Sequence, residues 1–459
     1  MAKPILFYST NDRKRERPGV DFCDALMQGL APDKGLYMTD RAALPRISEA
    51  DFEAFPSLPY SEIAYRVIRP FIEGRVPDRV FHALCEEAYN FDVPVERYAE
   101  ERYLLRLDRG PTASFKDFAA RMMARLMQFF LKEQGRGVTI LTATSGDTGG
   151  AVAAAFHGLD NVRVVVLFPG AEVSGRQRRQ MTTLGGNVHA IDVDGKFDDC
   201  QALVKQAFVD PELARFELTS ANSINVGRLI PQSVYYVYAA SRIPKAEREA
   251  LWICVPSGNF GNLMGGLLAK HSGLGVARFI AAVNENDEVP VYLRSEEYRP
   301  VVPSRNCLSN AMNVGHPSNL ARLVALYGGS MDEKGTVHVQ PDMQEIRRDI
   351  LSVEVSDAET REAIADAWRR HGIILEPHGA VGYKALEKLE AARQGATTLL
   401  LETAHPAKFP EVGKEAIGVD PELPDSMKRS ETLPEKKHDC PNEYGAFKRL
   451  LRNLLISNE

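Results

Sequence analysis

The sequence predicts an α/β fold, and three observations lead to it. Short, continuous apolar runs recur from about residue 100, at 138–143 (VTILTA), 162–168 (VRVVVLF), 188–193 (VHAIDV), 251–256 (LWICVP), 278–283 (RFIAAV) and 397–404 (TTLLLETA). Segments with helical patterning lie between them, and runs that are apolar throughout mark strands covered on both faces, as in parallel sheets. The chain has 459 residues, 44% of them hydrophobic, enough for two or three packed domains.

Residues 1–95 alternate helical patterns, such as FCDALMQGL and YSEIAYRVIRPFI, with proline or glycine breaks such as APDKGLYM. They predict a mainly helical N-terminal domain. Residues 96–245 and 246–415 each contain a strand running through a glycine-rich turn into a helix, and are expected to form two comparable α/β domains. From 416 to 459 the chain turns rich in proline and charge before the amphipathic stretch YGAFKRLLRNLL. This tail is expected to wrap the surface and end in a helix.

The formal net charge is −6 with both signs scattered, which argues against nucleic acid and anionic membranes as partners. Six isolated cysteines without a CxxC pair read as reduced structural thiols. The opening MAKPILFYSTND breaks quickly into polar residues, and no run reaches membrane-spanning length. A cytoplasmic protein is expected. The histidines show no HxxxH spacing, so no metal is expected, and no serine lies in GxSxG.

Chemistry concentrates in five segments. PTASFKDF, 111–118, puts Lys116 in the first turn of a helix, where the amide dipoles repel an ammonium by a few tenths to about 1 kcal/mol. A free amine there could condense with an aldehyde. The plainer alternative is a solvated lysine offset by Asp117. TATSGDTGG, with Thr144, Ser145, Gly146, Asp147 and Thr148, suits a carboxylate or phosphate at a helix start, or else merely caps that helix. SGNFGN, from Ser257 to Asn262, lets backbone approach a ligand closely and fits a monophosphate better than a nucleotide. SANSINVGR, with Asn222, Ser223, Asn225 and Arg228, reads either as a second phosphate site or as an N-cap with a surface arginine. LETAHPAKF places Thr403, His405 and Lys408 past a strand end, where ligands bind in open sheets; His405 alone reads as structural.

Taken together and in this order, PTASFKDF, SGDTGG, NSINVGR, SGNFGN and ETAHPAKF resemble the threonine synthase family. YSTND with DALMQGLAPDKGLYM is similar to its N-terminal signature, and SNAMNVGHPSNLARL and GIILEPHGAVGYKAL to its later segments. The resemblance implies the fold type II, tryptophan synthase β-like architecture of pyridoxal phosphate enzymes. That is two α/β domains with the cofactor between them, plus the N-terminal helical domain. It implies that Lys116 holds pyridoxal 5'-phosphate as an imine and then shuttles protons, with Phe115 helping to orient the ring. The amides of Gly258, Asn259, Phe260, Gly261 and Asn262 are implied to hold the cofactor phosphate, with Thr403 at the pyridine nitrogen and Asp147 near the 3-hydroxyl. A neutral hydroxyl at the nitrogen implies a weaker electron sink than a carboxylate there.

For the substrate, Thr144, Ser145, Gly146 and Thr148 are implied to grip a carboxylate, and Ser223, Asn225, Arg228 and Lys408 a phosphate. The implied reaction converts O-phospho-L-homoserine and water into L-threonine and phosphate, by a monomeric enzyme. Two positions depart from the family pattern: Lys34 stands at the first glycine of GLAxDGGLY, and Val226 where NSINWxR has tryptophan. Rival readings are a phospho-lyase releasing 2-oxobutyrate and a non-catalytic anion-binding protein of the same fold.

Overall fold

The computed structural model describes residues 4–12, 14–393 and 395–456; the first three residues of MAKPILFYSTND and the last three of the predicted tail lie outside them. The chain forms two compact units. One comprises the chain up to Arg109 together with Ser223–Pro421, the other Gly110–Asn222 with the chain from Glu422.

The larger unit is built on a six-stranded sheet in spatial order Ile350–Glu354, Arg278–Val283, Trp252–Pro256, Thr398–Glu402, Arg102–Arg106 and Val95–Ala99. Neighbours run parallel except Val95–Ala99, which pairs antiparallel at one edge. The central strands Trp252–Pro256 and Thr398–Glu402 are buried along their whole length, as the apolar runs WICVP and LLL within them require. Leu104, Cys254, Ile280 and Leu400 pack with Val381 and Leu386 of the helix Pro377–Lys388 on one face.

The N-terminal part of this unit is mainly helical, with helices Phe22–Gln28, Tyr60–Ile68 and Asp78–Ala88, and a short antiparallel pair, Phe7–Ser9 with Tyr37–Thr39. YSTND is the polar frame of the turn before Tyr37. Ser9 Oγ donates to Asp33 Oδ1 at 2.6 Å and Thr10 Oγ1 accepts from Leu36 N at 3.0 Å.

The smaller unit holds a five-stranded, all-parallel sheet in the order His438–Pro441, Val188–Asp194, Val162–Pro169, Val138–Ala143 and Leu218–Thr219. The tail does more than wrap a surface, because it supplies an edge strand here. Its helix Tyr444–Ile456 buries Phe447, Leu451 and Leu455 completely against a core containing Leu141, Val165 and Ile191. Arg178 holds the tail through a two-point ion pair with Glu435 at 2.9 and 3.0 Å. Among the described residues no helix is long and apolar enough to cross a membrane.

Candidate active site

In the smaller unit, Lys116 is the first residue of the helix Lys116–Gln134, with Phe115 at the N-cap and no side-chain cap. The approach is tight: Ala113, fully buried, takes φ +54, a left-handed conformation that costs an L-residue about 1–2 kcal/mol. Asp117 is tied into the loop itself. Its carboxylate accepts from Thr112 N at 2.9 Å and Thr112 Oγ1 at 2.7 Å, locking the loop that delivers the lysine. The Lys116 side chain is 13% exposed, with Nζ 4.3 Å from the centre of the Phe115 ring and 3.9 Å from Asp147 Oδ2.

Asp147 opens the helix Asp147–Phe156 at the end of the strand Val138–Ala143. It lies in an anion-seeking turn, and its charge is met on one side by Lys116 and on the other by Gln177 Nε2 at 2.9 Å. Thr144 caps this helix, its hydroxyl oxygen accepting from Gly146 N at 3.0 Å and Gly149 N at 2.8 Å. What Thr144 can offer a carboxylate is its hydroxyl hydrogen. Ser145 and Thr148 are half-buried on the same turn.

In the larger unit, the strand Trp252–Pro256 runs through Ser257–Phe260 into the helix Gly261–His271. A Cβ at Gly258 would come within 2.7 Å of Met312 Cα, so the second position of SGNFGN has no room for a side chain. Phe260 takes φ +60 to turn the backbone into the helix. Asn259 braces the loop: its Nδ2 donates to Ser223 Oγ at 2.6 Å, and its Oδ1 accepts from Ser318 N at 2.6 Å and Ser318 Oγ at 3.0 Å. Asn262 Oδ1 accepts from the hydroxyls of Tyr235 and Tyr236, both at 2.6 Å.

SANSINVGR is braced from within and from the N-terminal helix. Asn225, expected to reach a substrate phosphate, is fully buried, with Nδ2 donating to Leu26 O at 2.9 Å and Oδ1 accepting from Gly227 N at 2.8 Å. Both ends of its carboxamide serve the loop, because the helix Phe22–Gln28 packs so closely that a Cβ at Gly227 would lie 2.2 Å from Leu26 Cδ1. Arg228 is no surface arginine, being 4% exposed.

At the end of the strand Thr398–Glu402, Thr403 donates its hydroxyl to Glu376 Oε1 at 3.1 Å. His405 Nδ1 accepts from Ala407 N at 3.1 Å and caps the turn Pro406–Lys408, a structural role. Burial pushes its imidazole down to about 4, which keeps it a neutral acceptor. Lys408 is fully buried.

Several residues escaped sequence reasoning. Arg322, fully buried, donates to Tyr37 O at 3.0 Å, Ser223 O at 2.9 Å and Ile224 O at 2.6 Å, joining the N-terminal segment to SANSINVGR; burial lowers its guanidinium to about 9. It also fixes Asn319 by donating to its Oδ1 at 2.7 Å. The Asn319 Nδ2 then lies 3.4 Å from where a Cβ of Gly261 would be. Among the described residues the Nδ2 groups of Asn319 and Asn262 are buried without a hydrogen-bond partner. Unpaired buried donors beside a helix start are what an anion requires. The i, i+3 pairing of Asn319 and Arg322 in SNLAR, and Glu376 ahead of a helix-opening proline, were the available signals.

The chain matches the family model of pyridoxal-phosphate dependent enzymes over residues 93–403, that of the threonine synthase N terminus over 6–89, and that of the threonine synthase C-terminal region over 379–451. It is 38% identical to the threonine synthase of Haemophilus influenzae over 443 residues, which is 95% of this chain and 98% of that one. Crystal structures of two threonine synthases superpose over 98% of the chain. That of Escherichia coli does so with a TM-score of 0.87 at 37% identity, covering 100% of it; the pyridoxal-phosphate-bound one of Brucella melitensis does so with 0.89 at 35%, covering 99%. Similarity of this extent, across both units and the tail, places the chain in the threonine synthase family of pyridoxal-phosphate-dependent enzymes.

Proposed function

We propose that the chain converts O-phospho-L-homoserine and water into L-threonine and phosphate. The observation that carries the substrate class is Arg228, a guanidinium 4% exposed on the loop that also presents Ser223, with a second fully buried cation, Lys408, in the same unit. Buried cations beyond those a cofactor phosphate requires suit a substrate that is itself phosphorylated.

The residues fit pyridoxal phosphate. The unpartnered donors Asn262 Nδ2 and Asn319 Nδ2, beside the amides of Gly258–Asn262, suit its phosphate; Lys116, beside the Phe115 ring, suits its aldehyde; and Thr403 suits its ring nitrogen. When bound, the cofactor supplies an electron sink for carbanions of an amino acid. Asp147, held by Gln177, would face the 3-hydroxyl side of the ring. Thr144, Ser145, Gly146 and Thr148 hold the substrate carboxylate, while Ser223, Asn225, Arg228 and Lys408 hold its phosphate. The Lys116 amine removes protons at Cα and then Cβ and returns protons at Cγ and Cα. The Cγ–O bond breaks with loss of phosphate, and water forms the new Cβ–O bond, its spare proton passing to the released phosphate. The proposal includes a cytoplasmic monomer with neither nucleic acid nor membrane as partner, in keeping with a net charge of −6 spread over both signs.

Incubating cofactor-loaded protein with O-phospho-L-homoserine and quantifying threonine, 2-oxobutyrate and phosphate together tests this reading. Threonine equal to phosphate is expected, with turnover abolished in Lys116→Ala. Release of 2-oxobutyrate equal to phosphate would make the chain a phospho-lyase, and no phosphate release would remove the substrate assignment.

A further inference from the structure

Thr403 is the visible end of a buried polar network. Glu376, 1% exposed, accepts at Oε1 from Thr403 Oγ1 at 3.1 Å and from Gly379 N at 2.9 Å. At Oε2 it accepts from His378 N at 2.7 Å and faces His378 Nδ1. The Nε2 of His378 accepts from Ala311 N at 3.1 Å, so the ring proton sits on Nδ1 and is donated to Glu376. Four donors fill the lone pairs of both carboxylate oxygens. The neighbouring carboxyl, Glu402, is fully buried and accepts from Glu376 N at 3.0 Å. Burial, and then the Glu376 charge, push Glu402 well above the usual carboxylate range, whereas the four donors around Glu376 leave no acceptor for a proton on its own carboxyl. Arg106, the nearby cation, is engaged by Asp108 at 3.0 Å.

A threonine hydroxyl has a single hydrogen. Hydrogen bonds to an ionised acceptor are roughly twice as strong as neutral ones, so Glu376 keeps the Thr403 hydrogen in competition with a neutral pyridine nitrogen. The Thr403 oxygen then has only lone pairs to offer on its other side. We infer that Glu376, acting through Thr403, presents an acceptor to the cofactor ring nitrogen and selects its protonated form. This rests on the assignment of Thr403 to that nitrogen under the proposed function. Glu376 is thus a positioning residue: it puts a charge behind what is otherwise a neutral hydroxyl partner, and a protonated ring is the stronger electron sink for proton removal at Cα and Cβ.

Nitrogen NMR of holoenzyme carrying pyridoxal phosphate labelled with ¹⁵N at the ring nitrogen tests the inference without turnover. The wild-type signal is expected in the protonated range, moving to the unprotonated range in Glu376→Gln, which keeps an oxygen to cap Gly379, and in Thr403→Val. An unprotonated wild-type signal overturns the inference even if the Glu376 variant does not fold. A signal moved by Thr403→Val but not by Glu376→Gln overturns the role of Glu376 alone. A signal moved by neither removes Thr403 from the ring nitrogen, and the underlying assignment with it.

Discussion

Lys34 carries backbone strain at the place where the family pattern has glycine. Its φ is +68 and its side chain is exposed, so it bears the left-handed conformation with little packing in return. Lys34→Gly is expected to stabilise the protein by about 0.5–1.5 kcal/mol, the left-handed penalty less the extra entropy glycine loses on folding. Equilibrium urea denaturation checks this; an unchanged or lower midpoint would mean that the lysine is not strained. Other residues show that identity and role are separate questions. The polar character of Asn225 was legible, but not that one of its Nδ2 hydrogens goes to Leu26 O and its Oδ1 accepts from Gly227 N. Arg228 looked equally compatible with the surface, and only its burial decided otherwise.

The strands that were legible are those whose side chains are apolar on both faces. VTILTA coincides with Val138–Ala143 and RFIAAV with Arg278–Val283, because a strand covered by helices on both sides advertises itself by composition alone. Arg102–Arg106 was missed. Its terminal arginines pair with Glu390 at 2.8 Å and Asp108 at 3.0 Å, and hide the fully buried Leu104 and Leu105 between polar ends. His438–Pro441 was missed because nothing within HDCP marks it as a strand; its pairing with Val188–Asp194 does. The amphipathic tail helix was visible, but its burial was not. Each of Phe447, Leu451 and Leu455 contributes about 1.5–3 kcal/mol by leaving water. Leu451→Ala is therefore expected to cost about 2–5 kcal/mol, because the cavity adds to the lost transfer energy. A loss under about 1 kcal/mol in the same denaturation assay would return the tail to the role of a surface wrap.

At the scale of the whole molecule, buried ionisable groups make stability depend on pH. Burial holds His405 and His271 down to about 4 from an ordinary 6.5. Between these values the unfolded chain binds more protons, so the histidines' contribution is present above pH 6.5 and is lost as pH falls toward 4. Glu402 acts in the opposite sense: its raised carboxyl stabilises the fold below the ordinary 4.5, and that contribution is lost as pH rises. The difference between wild type and His405→Asn isolates one histidine, since asparagine can still cap Ala407. That difference is expected to fall by up to about 3 kcal/mol on acidification from pH 6.5 to 4, at about 1.4 kcal/mol per pH unit. A difference independent of pH would mean that His405 titrates alike in both states.

The sequence by itself determined the α/β class, the order of strand, glycine-rich turn and helix in both halves, the lysine at a helix start, and membership of a pyridoxal phosphate family. These are properties of neighbours along the chain, where local conformational preference and motif order suffice. Only the tertiary structure decided which polar groups meet. Thr403 finds Glu376 across 27 residues, Arg322 reaches Ser223 across 99, and the tail returns to pair with a strand some 250 residues earlier. Such partnerships depend on burial, which removes water as the alternative partner and makes each unpaired group costly, and burial is a property of the folded whole rather than of any segment.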